Sequence, residues 1–280
     1  MTAPASPAPP LDLVKLEGAG NDFLVLLDPA PAAPGVAGAP DLADLARLAC
    51  ERHRGFGADG LVRGTRPGDG ADLGFELWNA DGSTAEMSGN GMRCLAHAAL
   101  DAGWVAEGAP FSVSTAAGRR QVTIRRSADG SSAWSGVAMG RPTVSGAGDR
   151  CNVGHGSLRV DMGNPHLVVA GPDPATVDVG RLGPQLEASV PGGCNVEFVT
   201  LGPGPDELTM RVWERGVGET LACGTGSCAA AVAFATWGRV GRAVTVHQPG
   251  GSVAVEWAAD DTVVLSGPSR RIGTCRWGAS

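Results

Sequence analysis

An α+β fold of two similar domains, each built on one central helix, is predicted by three observations. Two glycine-rich turns, Ser88-Gly89-Asn90-Gly91 and Cys223-Gly224-Thr225-Gly226, each open an alanine-rich helical stretch. Each turn begins nine residues after a polar residue that ends a strand-like run: Asn79 before Ser88, Glu214 before Cys223. Several short apolar or alternating runs precede each turn, the rhythm of strands rather than helices. The matching spacing points to duplication, although few residues are identical between the halves.

The elements follow in order. Residues 1–10 are rich in Pro, Ala and Ser and read as a disordered tail. Residues 11–17 and 23–28 read as strands around the turn Gly18-Ala19-Gly20-Asn21, and 29–40 as a Pro/Ala/Gly loop. Asp41 is placed to cap a helix running to about Arg52, with Leu42, Leu45, Leu48 and Ala49 on its inner face. A strand is expected over 73–78. The first glycine-opened helix runs from Gly89 to about Gly103, with Met92, Leu95, Ala96 and Ala99 inward. Strands over 111–115 and 121–125 complete the first half. The second half has strands over 158–162, 166–169, 196–201 and 208–213, then a helix from Gly224 to about Trp237. Strands over 244–247, 253–257 and 263–265 close it.

Composition narrows the function. The 280 residues suffice for two medium domains with full cores, and 43% hydrophobic against 18% charged residues is ordinary for a soluble chain. A net charge of −7 leaves no basic footprint, so neither nucleic acid nor an anionic membrane is an expected partner. The first ten residues lack the basic and apolar regions of a signal peptide, and no apolar run reaches spanning length. The seven cysteines are Cys50, Cys94, Cys151, Cys194, Cys223, Cys228 and Cys275. Their number is odd and no zinc-type spacing occurs, which fits free thiols in the cytoplasm and no metal.

Glycines at a helix N-terminus leave backbone N–H groups open to a ligand, and the helix dipole favours an anion there. Neither turn has the Lys-Ser/Thr ending of a phosphate loop or the G-x-G-x-x-G spacing. A carboxylate is therefore the expected guest, and Asn79, Asn90 and Arg215 would suit an amino acid with further carboxylate and ammonium groups. Cys223 stands where a helix dipole lowers a thiol's pKa, so a reactive thiolate is expected. Cys50, Cys94, Cys228 and Cys275 read as inert and buried. His166 and Glu214 border apolar strands and are candidates to tune or relay a proton.

Several motifs recur in a recognisable order: Gly18-Ala19-Gly20-Asn21-Asp22-Phe23, Arg52-His53-Arg54-Gly55-Phe56-Gly57-Ala58-Asp59-Gly60, Asn79-Ala80-Asp81-Gly82-Ser83 and Gly89-Asn90-Gly91-Met92-Arg93-Cys94. The second half adds Gly163-Asn164-Pro165-His166, Asn195-Val196-Glu197-Phe198, Glu214-Arg215-Gly216-Val217-Gly218-Glu219-Thr220 and Ala222-Cys223-Gly224-Thr225-Gly226. Over nearly its whole length the chain resembles the diaminopimelate epimerases, which need no cofactor. The resemblance implies two pseudo-symmetric α+β domains, each a curved, mostly antiparallel sheet wrapped around a central helix, with the active site in the cleft between them. It places the domains at 11–125 plus 265–280 and at 126–264. It implies thiols on opposite faces of the substrate α-carbon, one removing the α-proton and the other returning one. The helix N-termini would hold the carboxylate. Substrate contacts carry over to Asn21, Asn79, Gly89, Asn90, Asn164, Asn195, Glu214, Arg215, Gly224 and Thr225, and catalytic roles to Cys223, His166 and Glu214.

At one position the chain departs from the pattern: Ser88 stands where the family has its first cysteine. A hydroxyl is a far weaker acid than a thiol, so Ser88 fits a proton donor fed by water better than a base. Cys94 lies too far into the helix to replace it. Three readings stay open: an epimerase with an altered proton donor, a one-base isomerase or dehydratase on the same scaffold, and an amino-acid-binding protein without turnover. A fourth, a Cys-His acyl hydrolase on Cys223 and His166, lacks an orienting third group. The oligomeric state is open, a homodimer among the options.

Overall fold

One succession of elements occurs twice in the computed structural model, which describes residues 10–28, 41–128, 130–145 and 156–278. Residues 1–9 of the expected tail over 1–10, the loop over 29–40 and Cys151 lie outside the described residues. The first succession is β1 (Leu11–Gly18), β2 (Asn21–Asp28), α1 (Leu42–Ala49), β3 (Gly60–Thr65), β4 (Leu73–Asn79), β5 (Thr84–Ala85), α2 (Gly89–Asp101), β6 (Phe111–Thr115), β7 (Gly118–Arg126) and β8 (Ser132–Gly140). After the short β9 (Thr143–Ser145) it repeats as β10 (Gly156–Asp161), β11 (Pro165–Ala170), α3 (Val179–Ser189), β12 (Asn195–Leu201), β13 (Glu207–Glu214), β14 (Gly218–Thr220), α4 (Gly224–Thr236), β15 (Ala243–Gln248), β16 (Gly251–Trp257) and β17 (Val263–Trp277).

The pairings repeat too. β1–β2 and β10–β11 are antiparallel, while β2–β3 and β11–β12 are parallel. Both β4–β6 and β13–β15 are short parallel pairings. In the first half the ring β1-β2-β3-β4-β6-β7-β8-β17 closes on itself through β17–β1. The last strand serves both halves. It pairs with β16 over Val263–Ser266 and with β1 over Arg270–Trp277. The fold is therefore the expected pair of pseudo-symmetric α+β units, with sheet curved around α2 in one and α4 in the other.

A helix inside a ring of strands has no solvent face, and both central helices read accordingly. Along α2 every residue from Gly89 to Leu100 is buried, including Arg93 and His97, so the inward set extends well beyond Met92, Leu95, Ala96 and Ala99. Small side chains let the strands approach α4, where Ala229, Ala230, Ala231 and Ala233 are buried. The outer helix α1 is amphipathic as expected, with Asp41 accepting from the Ala43 N–H. Two details of that expectation are corrected. The helix stops at Ala49, because Phe56 and Gly57 N–H groups fold back onto the Ala49 carbonyl. Its buried face is Leu45, Ala46 and Ala49, while Leu48 is 59% exposed.

The sequence reading passed over β3, β5, β8, β9, β14 and α3. The strand β8 is rich in Gly, Ala and Ser, and α3 contains Pro184 and two glycines, so neither shows a clear apolar period. Gly183 is required there: a Cβ would meet the Trp213 ring at 2.4 Å. Among the described residues no helix is long and apolar enough to cross a membrane.

At the pseudo-symmetry axis the two central helices meet end to end. A Cβ on Gly224 would lie 3.4 Å from the Gly89 Cα, and Leu265 Cδ2 would be 2.7 Å from a Cβ on Gly89 and 2.9 Å from one on Gly224. Leu265, fully buried on β17, thus fills the space under both glycines. Alanine in place of glycine inside a helix ordinarily stabilises by about 1 kcal/mol. Here Gly89→Ala is expected to destabilise by about 1–3 kcal/mol through overpacking against Leu265, read from denaturant midpoints; a gain in stability would contradict the close approach.

The thiols of the core give a second test. Burial pushes Cys50, Cys94, Cys194 and Cys228 up to about 12. An unfolded thiol titrates near 8.5, so between the two values the folded chain holds protons that the unfolded chain has lost. Their stabilisation is fully present below about pH 8.5 and is lost as pH rises toward the folded values, at roughly 1.4 kcal/mol per pH unit for each thiol. Tyrosine is absent and cannot contribute to the effect. Urea midpoints should fall steadily from about pH 9 to about pH 11; a flat profile would refute thiol burial as a determinant.

Candidate active site

The meeting of α2 and α4 floors a cleft of ≈ 1600 Å³ between the halves. From the first half it is lined by Asn21, Asn79, Ser88, Gly89 and Asn90. From the second come Asn164, Asn195, Glu214, Arg215, Cys223, Gly224 and Thr225. These residues come together because the two successions place them at equivalent points. Asn21 and Asn164 stand at the entries to β2 and β11. Asn79 and Glu214 end β4 and β13, and Ser88 and Cys223 cap the two central helices. Of the residues expected at the site, only His166 is absent from the wall; it is 1% exposed and lies behind Asn164.

The two caps are built alike. Ser88 has φ −140° and ψ 124°, and its Oγ accepts from the Gly91 N–H at 3.1 Å. Cys223 has φ −127° and ψ 118°, and its Sγ accepts from the Gly226 N–H at 3.4 Å. These are N-cap geometries that leave the remaining first-turn N–H groups facing the cleft. The Cys223 N–H donates to Gln248 Oε1 at 2.8 Å, and its sulfur lies 3.5 Å from Thr225 Oγ1.

The expectation of a depressed Cys223 pKa is overturned. Burial pushes this thiol well above its ordinary value, and the Glu214 and Glu197 carboxylates push it further; the Thr225 hydroxyl and the Gly226 N–H act the other way. A helix N-terminus offers only about half a positive charge. Full desolvation and two carboxylates outweigh it. Glu214 is raised as well, chiefly by burial, while the hydrogen bond from Thr220 and the nearby Cys223 thiol oppose the rise. Carboxylate and thiol thus share a site in which a negative charge on either disfavours one on the other.

The surrounding amides are held firmly. Asn195 donates to the Pro165 carbonyl at 3.1 Å and accepts from the Arg215 N–H at 3.0 Å, so it fixes two cleft-forming turns at once. Asn79 donates to Ser83 Oγ at 2.9 Å. In the first half a directional chain runs Arg93 Nη2 → Asn90 Oδ1 (2.9 Å), Asn90 Nδ2 → Asn21 Oδ1 (3.2 Å), Asn21 Nδ2 → Asp59 Oδ2 (2.6 Å). A guanidinium only donates and a carboxylate only accepts, so the two ends dictate which way both amides point. Arg52 in turn holds Asp59 and Asp22 at 2.7 and 2.9 Å.

Arg93, Asp59 and Glu197 were not picked out as site residues. Each lies inside a quoted motif, which was the available signal. An arginine within a helical run ordinarily faces solvent, and only the closed ring of strands reveals that Arg93 is fully buried. Gly18 and Gly267 make its room, since a Cβ on either would stand 3.2–3.3 Å from the guanidinium. Among the described residues no three His, Cys, Asp or Glu side chains cluster as metal ligands.

Comparison with known proteins agrees with this geometry. A family profile described as diaminopimelate epimerase matches residues 13–144 and 158–272. A diaminopimelate epimerase of Desulfitobacterium hafniense is 42% identical over 277 residues, covering 92% of this chain and 95% of its own length. Two solved structures share the fold. One is a phenazine biosynthesis protein of the PhzF family from Bacillus anthracis (TM-score 0.73, 15% identity, 96% and 99% of the two chains). The other is a hydroxyproline epimerase from Agrobacterium vitis (TM-score 0.70, 18% identity, 96% and 92%). With the profile spanning both halves and a relative above 40% identity along nearly the whole chain, this protein belongs to the diaminopimelate epimerase family.

Proposed function

We propose that this protein interconverts LL- and meso-diaminopimelate in the cytoplasm without a cofactor, as a step toward lysine and peptidoglycan precursors. The observation that carries the reading is the abutment of two helix N-termini between an N-cap serine and an N-cap cysteine. Their free N–H groups suit the substrate α-carboxylate and the negative charge that develops on it when the α-proton leaves. Cys223, once ionised, takes that proton: the C–H bond breaks, an S–H bond forms, and the electron pair spreads into the carboxylate. A proton then arrives from the Ser88 side and forms the new C–H bond with inverted configuration. The side chains of Asn21, Asn90, Asn164 and Arg215 suit the distal ammonium and carboxylate groups. Glu214, close to the Cys223 thiol, is the group that takes up its proton, and His166 supports this side from behind Asn164.

The two sides are unequal. No titratable side chain is hydrogen-bonded to Ser88 among the described residues, whereas Cys223 has Glu214 beside it. Ser88 therefore acts as a donor that water refills, not as an alkoxide base. This favours faster proton exchange on the Cys223 face than inversion, and a one-base isomerase is the limiting case.

Incubation with LL-diaminopimelate in deuterated water tests the reading. The expected product is the meso isomer carrying deuterium at the inverted carbon. Exchange without inversion would establish one-base chemistry, and neither exchange nor inversion would leave a binding protein. Ser88→Cys should raise the inversion rate at least about tenfold, below the roughly 10²–10⁴ typical of a well-placed acid or base. Ser88→Ala should abolish inversion, preserve exchange and cost about 1 kcal/mol of cap stability. Alkylation offers a separate check. The Cys223 rate should climb about tenfold per pH unit from 7 to 9 with no plateau, while fully buried Cys94 and Cys228 stay unlabelled and substrate protects Cys223. A plateau near neutrality would restore the low-pKa thiolate.

A further inference from the structure

Glu197 has no assigned part in this chemistry, yet it is fully buried on β12 at the back of the site. Its Oε1 lies 2.6 Å from His166 Nδ1, and its Oε2 has no hydrogen-bond partner among the described residues. The fold does not need a carboxylate there. By register, His166 pairs with Asn195 as Phe23 pairs with Gly60, which makes Val62 the first-half equivalent of Glu197 and Phe23 that of His166. The glycines of the two caps agree: a Cβ on Gly91 would touch Val62 Cγ2 at 3.4 Å, and one on Gly226 would meet Glu197 Oε1 at 2.7 Å. A valine and a phenylalanine satisfy the same architecture on the serine side. A buried acid with one oxygen unpaired is a poor source of stability, so its presence on the thiol side calls for a role in the chemistry.

From Glu197 an unbroken chain leads to the sulfur. His166 Nε2 is 2.9 Å from Asn164 Oδ1, Asn164 Nδ2 is 3.4 Å from Thr225 Oγ1, and Thr225 Oγ1 is 3.5 Å from Cys223 Sγ. With the Asn164 carbonyl oxygen before it, Nε2 is the donor in that contact, and Glu197 Oε1 is the partner of the other ring nitrogen. Asn164 then donates onward to Thr225, whose own hydrogen is free to point at the sulfur. Every donor in the chain faces Cys223, where Gly226 N–H already donates. We propose that Glu197 is a positioning residue for Cys223: through His166, Asn164 and Thr225 it sets the direction of this chain so that it ends as a donor to the sulfur. The inference rests on the reading of Cys223 as the proton-abstracting group, which needs sulfur in its anionic form.

Replacing the acid by its amide lets the chain reverse: the glutamine carbonyl accepts from Nδ1–H, and Nε2 is then free to accept. Asn164 turns its NH₂ toward the ring, and its oxygen draws the Thr225 hydrogen away from the sulfur. The charged groups facing Cys223 are Glu214 from β13 and Glu197 from β12, and the same two carboxylates face His166. Glu197 therefore acts on the thiol in two opposed ways. Its bare field disfavours the thiolate, whereas the chain it directs favours it, so the sign of the response to Glu197→Gln separates them.

The test is the alkylation rate of Cys223 by iodoacetamide at fixed pH near 8, located by peptide mass spectrometry, with unlabelled Cys94 and Cys228 reporting an intact fold. Glu197→Gln is expected to slow Cys223 by at least about threefold, Thr225→Val by a similar factor, and the double variant no more than Thr225→Val alone. Faster labelling in Glu197→Gln would mean that only its field is felt; an unchanged rate, or effects that multiply, would equally overturn the chain. Should Glu197→Gln not fold, Thr225→Ser must keep the wild-type rate while Thr225→Val loses it, and equal rates in the two would refute the proposal. Alkylation needs no turnover, so these outcomes are independent of whether the protein epimerises diaminopimelate. Turnover adds one comparison: a positioning role lowers kcat in Glu197→Gln and leaves KM near its wild-type value.

Discussion

The rest of the molecule depends on the contact between the N-termini of α2 and α4 over Leu265. Two helix dipoles with the same sign toward each other repel, and their first-turn N–H groups have no partner within either helix. The fold accepts this because each helix is encased by strands that fix it from all sides, and because glycines at 89 and 224 let the two backbones approach. The open first-turn donors and the doubled positive potential suit an anion in the cleft. Binding and fold are thus linked through a local electrostatic cost.

Pseudo-symmetry sets the positions, and divergence between the halves sets the chemistry. Equivalent residues stand at equivalent points, but the first half carries Phe23, Val62, Asn79 and Ser88 where the second carries His166, Glu197, Glu214 and Cys223. His166, Glu197 and Glu214 have gathered around the Cys223 cap. Burial, with the Glu197 carboxylate beside it, raises Glu214, and burial together with both carboxylates raises the thiol. The first half supplies fixed dipoles instead. Its Arg93-Asn90-Asn21-Asp59 chain is pinned by a pure donor at one end and a pure acceptor at the other, so both amides face the cleft in one orientation.

Arg93 adds something further. Its guanidinium is desolvated, and its hydrogen-bond partners, Asn90 and the carbonyls of Pro268 and Gly89, are all neutral. Burial shifts its pKa downward, yet an arginine stays charged in proteins. A full positive charge therefore sits one turn behind the N-terminus of α2 and reinforces the field at the cleft floor. The glycines at 18 and 267 that admit it come from β1 and β17, the first and last strands, so the closure of the ring and the charge behind the site are one construction.

Much of the site could be read from the linear chain. Gly-x-Gly after a capping residue has a local meaning, because a helix N-terminus is defined by its own first turn; hence Ser88, Cys223 and the glycines following them were legible. The spacing from Asn79 and Glu214 was legible for the same reason, and so were most strands with an apolar period. What tertiary structure alone decided depends on encasement. Arg93 and Glu197 look like surface charges until strands close around them, and Gly- and Ala-rich β8 is a strand only because β7 and β17 pair with it on either side. The protonation of Cys223 belongs to this second group. Sequence places the thiol at a dipole that favours the anion, and that argument is sound within one helix. Desolvation and the convergence of the β12 and β13 carboxylates on the sulfur come only with the closed sheet, and they reverse the sign because a buried full charge outweighs a partial one.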